Sequence, residues 1–267
     1  MKDYINFEKQ KNSLYFTLSV ILKENYKTYQ NQKAIKALID IQKRSINAIQ
    51  KDKKITPITG INQFKKILKE GKESIIYQYP LDRLHFSLFN FPSLCRNLGD
   101  KDFEKERKNI EKGEKDFFQK IKMEMERIKM ETEKFPASAR ICKIYIPSQK
   151  IIGGSLALNI YPEDQDWFSR LENIKEDVKK RLSKQNIQDG TIDIKAYPDG
   201  SGNRNFAINI IRFIDSDERR IENCYNFYKE IEDINKELKN DSISFRIETI
   251  TPVISDPYLS NNSPPLL

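Results

Sequence analysis

The chain contains a single histidine, His85, which lies in an apolar run with a serine, Ser87, two residues later. An imidazole titrates near neutral pH, so it can accept or donate a proton under physiological conditions. In a strand, residues two apart share a face, and the imidazole and the hydroxyl would therefore lie side by side. The same pair also fits a core histidine with a satisfied hydrogen bond. His85 is the centre of whatever chemistry this chain has, and its surroundings must decide between the two interpretations.

Other kinds of site are not favoured by the sequence. One histidine and three distant cysteines provide neither a zinc-ligand spacing nor a Ser-His-Asp arrangement. The paired carboxylates Glu163-Asp164 and Asp215-Asp217 fall at predicted helix starts, where they favour a capping role. We therefore expect no metal and no cofactor.

The elements that position His85 follow from the spacing of apolar residues. The first series comprises a strand at 14–22, a helix at about 32–50, a short helix around 64–68, strands at 74–79 and 84–91, a helix from 103 to about 134 and a strand at 139–146. The second comprises a strand from 155, a helix through 167–182, a strand at 191–196, a Gly-rich turn at 198–203, a strand at 205–213, a helix through 221–238 and a strand at 243–254.

Apart from the short helix, both series read strand, helix, two strands, helix, strand, which indicates an internal duplication. We predict an α+β fold with two pseudo-symmetric lobes, each a mainly antiparallel sheet with helices outside. The lobes would span about 14–146 and about 155–255, followed by a flexible tail at 256–267. A cleft between the lobes is the expected place for a ligand.

The segments Leu84 to Phe91, LHFSLFNF, and Phe206 to Phe213, FAINIIRF, align without a gap. Regular alternation predicts that one face of the first strand carries His85, Ser87 and Phe89, and that the equivalent face of the second carries Ala207, Asn209 and Ile211. By the same alternation, Arg212 would lie on the opposite face from Asn209.

With these motifs the chain resembles the two-histidine phosphoesterase superfamily, which includes RNA 2′,3′-cyclic phosphodiesterases and proteins called 2′–5′ RNA ligases. The resemblance covers most of the chain. His85-Phe86-Ser87-Leu88 matches the family's pattern of His, apolar, Ser or Thr, apolar, whereas Ala207-Ile208-Asn209-Ile210 lacks the histidine. Arg212-Phe213 resembles the ending of the second motif, and FRIETITPVISD resembles the closing strand.

The resemblance implies that His85 and Ser87 are the catalytic residues of a cyclic phosphodiesterase, in which one histidine accepts a proton and a second donates one. Since Ala207 cannot transfer a proton, three alternatives stay open. A divergent enzyme would recruit Tyr197 or a water; a pseudoenzyme would only bind a nucleotide or RNA phosphate; a third possibility is a structural or interaction module. The candidate ligand-binding residues are Asn209, Arg83, Tyr197, Arg204 and Arg212.

Composition adds a preference for phosphate-bearing partners. The formal net charge is +8, and a positive potential attracts polyanions such as RNA. A lysine-rich genome would give the same excess of positive charge. The first sixteen residues show no secretory signal and no apolar run approaches twenty residues, so we expect a cytoplasmic protein without a membrane partner. The cysteines Cys95, Cys142 and Cys224 are expected to be small buried hydrophobes.

Overall fold

The computed structural model of the protein shows an α+β fold with two sheets. It describes residues 13–52, 55–60, 63, 75–91, 94–95, 112, 115–135, 137–145, 155–164, 166–184, 192–194, 197–198, 204–214 and 224–255. The strands of this part are β1 (Ser13–Ile21), β2 (Pro57–Ile58), β3 (Ile75–Gln78), β4 (His85–Asn90), β5 (Leu94–Cys95), β6 (Ala137–Tyr145), β7 (Ser155–Pro162), β8 (Asp193–Ile194), β9 (Tyr197–Pro198), β10 (Arg204–Ile214), β11 (Ile243–Ile247) and β12 (Thr251–Ser255).

Four long helices occur in the same ranges: α1 (Tyr29–Asp52), α2 (Lys115–Glu133), α3 (Asp166–Lys184) and α4 (Tyr225–Asn240). A single 3-10 turn, Leu81–Arg83, precedes β4. Each helix buries one apolar face, as the 3.6-residue spacing predicts. Among the described helices, none combines the length and the apolar character needed to cross a bilayer.

The first sheet has the order β12-β1-β4-β8, with β5 paired to β1, and the second has the order β11-β6-β7-β10-β3-β2, with β9 paired to β10. All described pairings are antiparallel except β2 with β3. Helices α2 and α3 pack on the first sheet, and α1 and α4 pack on the second. The expected α+β fold with mainly antiparallel sheets is thus confirmed.

Each sheet combines strands from both halves of the chain. The first sheet contains β1 and β4 from the N-terminal half and β8 and β12 from the C-terminal half. The second contains β7, β10 and β11 together with β3 and β6, which precede residue 146 in the sequence. The two series of elements are therefore interleaved, and neither sheet is built from one half alone.

The predicted single strand at 243–254 is wrong, because this segment forms β11 in one sheet and β12 in the other. The fully buried side chain of Asn25 binds the intervening backbone. Its Oδ1 accepts the N–H groups of Glu248 and Thr249 at 2.8 and 2.9 Å, and its Nδ2 donates to the carbonyls of Thr249 and Ile21. These bonds replace ladder partners where the chain changes sheets.

Three further carboxamides bind backbone groups across the two halves. Asn31 exchanges hydrogen bonds with both backbone groups of Arg246, on the outer edge of β11. Gln42 of α1 donates to the carbonyl of Ile210 in β10 at 2.6 Å. From α4, the Asn235 side chain accepts the N–H of Ile144 in β6 at 2.7 Å. Buried backbone groups outside the ladders are satisfied in this way.

Helix boundaries agree with the sequence in most places. Helix α1 begins earlier than predicted because the Thr28 hydroxyl accepts the N–H of Asn31 and caps the first turn. The capping role of Asp164 is confirmed, since its carboxylate accepts the N–H of Asp166 at 2.9 Å. Cys224 is buried, as expected. Predictions for 64–68, 103–111, 199–203, 215–217 and 256–267 lie outside the described residues.

We expect Asn25→Ala to lower the free energy of unfolding by about 3 kcal/mol, because the N–H groups of Glu248 and Thr249 and the carbonyl of Thr249 would lose a partly buried partner, and each unsatisfied group costs about 1 to 3 kcal/mol. Urea denaturation followed by circular dichroism measures the change. Asn173→Ala, on the exposed face of α3, is the matched control, and its effect should stay within about 0.5 kcal/mol. Equal effects of the two substitutions would contradict the structural role of Asn25.

Candidate functional site

A β-bulge sets which side chains of β4 share a face with His85. In the pairing of β1 with β4, Ser19 lies opposite Ser87, whereas Leu18 lies opposite Phe89, and the register shifts between them. Leu88 is therefore an extra residue on β4. Because opposed residues share a face and Leu18 and Ser19 point to opposite faces, the prediction that Phe89 shares the face of His85 and Ser87 is wrong.

The pairing of β7 with β10 repeats this register. Asn209 lies opposite Ala157, Ile211 lies opposite Leu156, and the shift again falls between them, so that Ile210 is the extra residue. Positions 210 and 88 correspond in the gapless alignment of the two strands. The two strand pairs thus match residue for residue, including the bulge.

The second bulge corrects the predicted orientation of two residues. Arg212 lies opposite Ser155, which is two residues from Ala157 and therefore on the same face. Arg212 consequently shares the face of Asn209, whereas Ile211 turns to the other side. Uniform alternation predicted the opposite faces for Arg212 and Ile211, because a pattern with period two takes no account of the extra residue in a bulge.

The imidazole of His85 is half-buried and held by one backbone group. Its Nδ1 lies 2.7 Å from the carbonyl oxygen of Arg83, in the 3-10 turn just before β4. A carbonyl oxygen only accepts, so Nδ1 carries the hydrogen and donates it. In the neutral ring, Nε2 then holds a lone pair and is the atom able to accept a proton.

The surroundings lower the pKa of His85 below its ordinary value of 6.5. Desolvation is the largest cause, because burial disfavours the charged ring. The hydrogen bond to the Arg83 carbonyl acts in the opposite direction, and the Arg83 guanidinium lowers the pKa further. At neutral pH the ring is therefore uncharged and suited to act as a base.

A row of hydroxyls runs along β1 from Thr17 to Ser19 and then crosses to Ser87 on β4. The Thr17 and Ser19 hydroxyl oxygens are 3.1 Å apart, and those of Ser19 and Ser87 are 3.3 Å apart. Thr17 and Ser19 are buried, while Ser87 is half-buried. When each hydroxyl in this row donates towards Ser87, the Ser87 O–H stays available for a ligand oxygen.

The equivalent face of β10 carries no titratable group at the position of His85. Ala207 is half-buried and Asn209 is exposed. Asn159 of β7 lies directly opposite Ala207 and is 9% exposed, and Asn205, two residues before Ala207, is 3% exposed. This face is therefore lined by carboxamides where the first strand has an imidazole and a hydroxyl.

The strands β4 and β10 contact each other where the two sheets meet. The ring centroids of Phe86 and Phe206 are 5.5 Å apart. His85 and Ser87 flank Phe86, so they lie on the face of β4 that points away from Phe206. Asn205 and Ala207 flank Phe206 in the same way, so they lie on the face of β10 that points away from Phe86.

The other predicted ligand-binding residues lie at different places on the two motif strands and their neighbours. Arg83 contributes its carbonyl to His85, and Arg212 lies on the face of Asn209, as described above. Tyr197 pairs in register with Asn205, and Arg204 pairs with Pro198, in the ladder between β9 and β10. The side chains of Tyr197 and Arg204 are outside the described part of the structure.

Sequence reasoning missed Ser19, Asn159 and Asn205. A signal was present for Asn159, which interrupts the apolar strand SLALNIY. Aligning β1 with β7 as well as β4 with β10 would have placed Ser19 and Asn159 beside the motif strands. Asn205 directly precedes the aligned segment and gave no signal of its own.

No protein-family model matches this chain, and none of the curated proteins matches it.

We expect the neutral His85 ring to carry its proton on Nδ1 and to titrate below pH 6.5. As the chain has one histidine, ¹⁵N-histidine NMR reports both properties without assignment. Between the folded-state pKa and about 6.5, the unfolded chain binds more protons, so stability should fall as the pH drops through that window. His85→Asn should remove this component of the pH dependence. An Nε2–H tautomer or a pKa above 6.5 would contradict the described geometry.

Proposed function

We propose that the protein binds a nucleotide or RNA phosphate at His85 and Ser87, as a divergent phosphoesterase-like protein in which cyclic phosphodiesterase activity is reduced or lost. The observation that carries the proposal is the repeated register of β1/β4 and β7/β10, with a bulge at corresponding residues of both pairs. Such a repeat supports a duplication with two half-sites, and we infer that a cleft between them receives the ligand.

Several features of the first half-site, formed by His85 and Ser87 on β4, suit a phosphate. When the Ser19 hydroxyl donates to Ser87, the Ser87 O–H can donate to a phosphate oxygen, and the neighbouring 3-10 turn carries Arg83. Hydroxyl donors and guanidinium groups both bind phosphate oxygens. The net charge of +8 would draw such anions towards the protein.

The second half-site, formed by Ala207 and Asn209 on β10, explains why turnover should be weak. His85 presents Nε2 as a proton acceptor, so it can take a proton from an attacking water or hydroxyl. The leaving oxygen then needs a donor, and Ala207 at the corresponding position has none. A missing acid or base lowers the rate by about 10² to 10⁴-fold. Binding with slow or no hydrolysis is the expected behaviour.

We expect adenosine 2′,3′-cyclic phosphate to bind the wild type in a calorimetric titration, and Ser87→Ala to weaken binding by about 10 to 100-fold. A hydrogen bond to a charged group contributes about 1.5 to 3 kcal/mol, which gives this range. Ser169→Ala, on the exposed face of α3, is the control and should bind as the wild type does. Absence of binding to the wild type, or equal binding by Ser87→Ala, would sink the proposal and favour a structural or interaction role.

We expect Ala207→His to raise hydrolysis of the same cyclic phosphate by about 10²-fold or more, because the new imidazole would occupy the position equivalent to His85 and supply the missing proton donor. Product formation is followed by chromatography. Ala207→Gln has a comparable size without a titratable group and is the matched control. The gain should vanish in the double variant His85→Ala, Ala207→His. Equal rates for the His and Gln variants would show that the two positions are not equivalent.

A further inference from the structure

The buried hydroxyl of Ser19 occupies a position at which the repeated strand pair has none. Ser19 of β1 lies opposite Ser87 of β4. In the repeat, Ala157 of β7 lies opposite Asn209 of β10, and the bulge follows at the corresponding place. Ala157 is buried, as Ser19 is. Because a buried hydroxyl costs free energy unless it is hydrogen-bonded, and because the repeat pairs its strands without one, the hydroxyl of Ser19 needs an explanation other than strand pairing.

The hydrogen bonds of Ser19 run towards Ser87. The Ser19 side chain is 0% exposed, and its Oγ lies 3.1 Å from Thr17 Oγ1 and 3.3 Å from Ser87 Oγ. On the other side of β1, Thr251 of β12 lies opposite Ser19. The Thr251 hydroxyl donates to the carboxylate of Glu24, so its hydrogen is not offered to Ser19. The buried serine therefore links Thr17 to the half-buried hydroxyl of Ser87.

A phosphate ligand would give this row of hydroxyls a single direction. Each hydroxyl has one hydrogen to donate, and the oxygens of a cyclic phosphate only accept. A Ser87 hydroxyl that donates to a phosphate cannot also donate to Ser19, so Ser19 must be the donor of the bond between the two serines. The oxygen of Ser19 then accepts from Thr17. Hydrogen bonds that follow one another in the same direction polarise and strengthen each other.

We propose that Ser19 is a positioning residue, which turns the Ser87 hydroxyl towards a phosphate oxygen, and that Thr17 in turn orients Ser19. Both residues are buried, so they act on a ligand through Ser87. This inference rests on the proposed function for the ligand, and it adds to the site two residues that do not touch that ligand.

Calorimetric titration with adenosine 2′,3′-cyclic phosphate tests the role of Ser19. Ser19→Ala should weaken binding by about 3 to 10-fold, because the binding hydroxyl loses one neutral hydrogen bond. In the Ser87→Ala background the same substitution should cause no further loss, since the group through which Ser19 acts is already gone. A loss of equal size in both backgrounds would overturn the positioning role, because Ser19 would then act on the site without Ser87.

Ser45→Ala is the matched control for the loss of a buried hydroxyl. Ser45 is also 0% exposed, and its hydroxyl donates to the carbonyl of Ile41 within α1 at 2.8 Å. Thermal unfolding measures the stability lost by each variant. Ser45→Ala should bind the cyclic phosphate as the wild type does, even where it unfolds at a lower temperature. Equal weakening by Ser45→Ala and Ser19→Ala would show that affinity follows stability, and the positioning role would be wrong.

Two substitutions of Thr17 separate its hydroxyl from its shape. Thr17→Val keeps the shape and removes the hydroxyl, whereas Thr17→Ser keeps the hydroxyl and removes a methyl group. Thr17→Val should bind the cyclic phosphate about 2 to 3-fold more weakly than Thr17→Ser, at the lower end of the range for one hydrogen bond. Equal or stronger binding by Thr17→Val would contradict the role of Thr17.

Failure of the positioning role and failure of the phosphate site give different results. If the wild type binds the cyclic phosphate and Ser87→Ala weakens binding, but Ser19→Ala does not, the proposed function stands and the positioning role is wrong. If the wild type does not bind, or Ser87→Ala binds equally well, the phosphate site is wrong and the positioning role is overturned with it.

Discussion

Buried and half-buried carboxamides that bind backbone groups hold the two halves of the chain together. Asn25 binds the segment in which the chain leaves one sheet for the other, and Asn31 covers the edge of β11. Gln42 and Asn235 join helices to strands of the opposite half. A chain that exchanges strands between sheets exposes backbone groups at every crossing, and each must find a partner. The interleaved architecture depends on these side chains.

This exchange also brings the functional strands into contact. Strands β4 and β10 are neighbours where the sheets meet, and the ring of Phe86 packs against that of Phe206. The bulges at Leu88 and Ile210 give the two faces the same register. The first strand carries the imidazole of His85, whereas Ala207 stands at the corresponding position of the second. This asymmetry is the reason why we propose that the protein binds a nucleotide with weak or no hydrolysis.

Much of the fold follows from the sequence, because apolar periodicity marks the helices and most strands. The four long helices and the longer strands of the described residues occur in the predicted order, and His85 and Ser87 share one strand face as predicted. Period-two alternation failed at Phe89, Ile211 and Arg212, since an extra residue in a bulge leaves no trace in composition. The division of 243–254 into two strands depends on Asn25, more than two hundred residues away. Such long-range partners are set by tertiary packing, which local pattern does not contain.

The sole imidazole offers the most direct test of a ligand site at His85. Titrating ¹⁵N-histidine-labelled protein with adenosine 2′,3′-cyclic phosphate should move the His85 ring resonances and saturate at the concentrations at which calorimetry shows binding. The pKa of His85 should rise in the complex, because a nearby anion favours the protonated ring. Ring resonances and a titration curve that stay unchanged at saturating ligand would contradict the account, since the phosphate would then be bound away from His85.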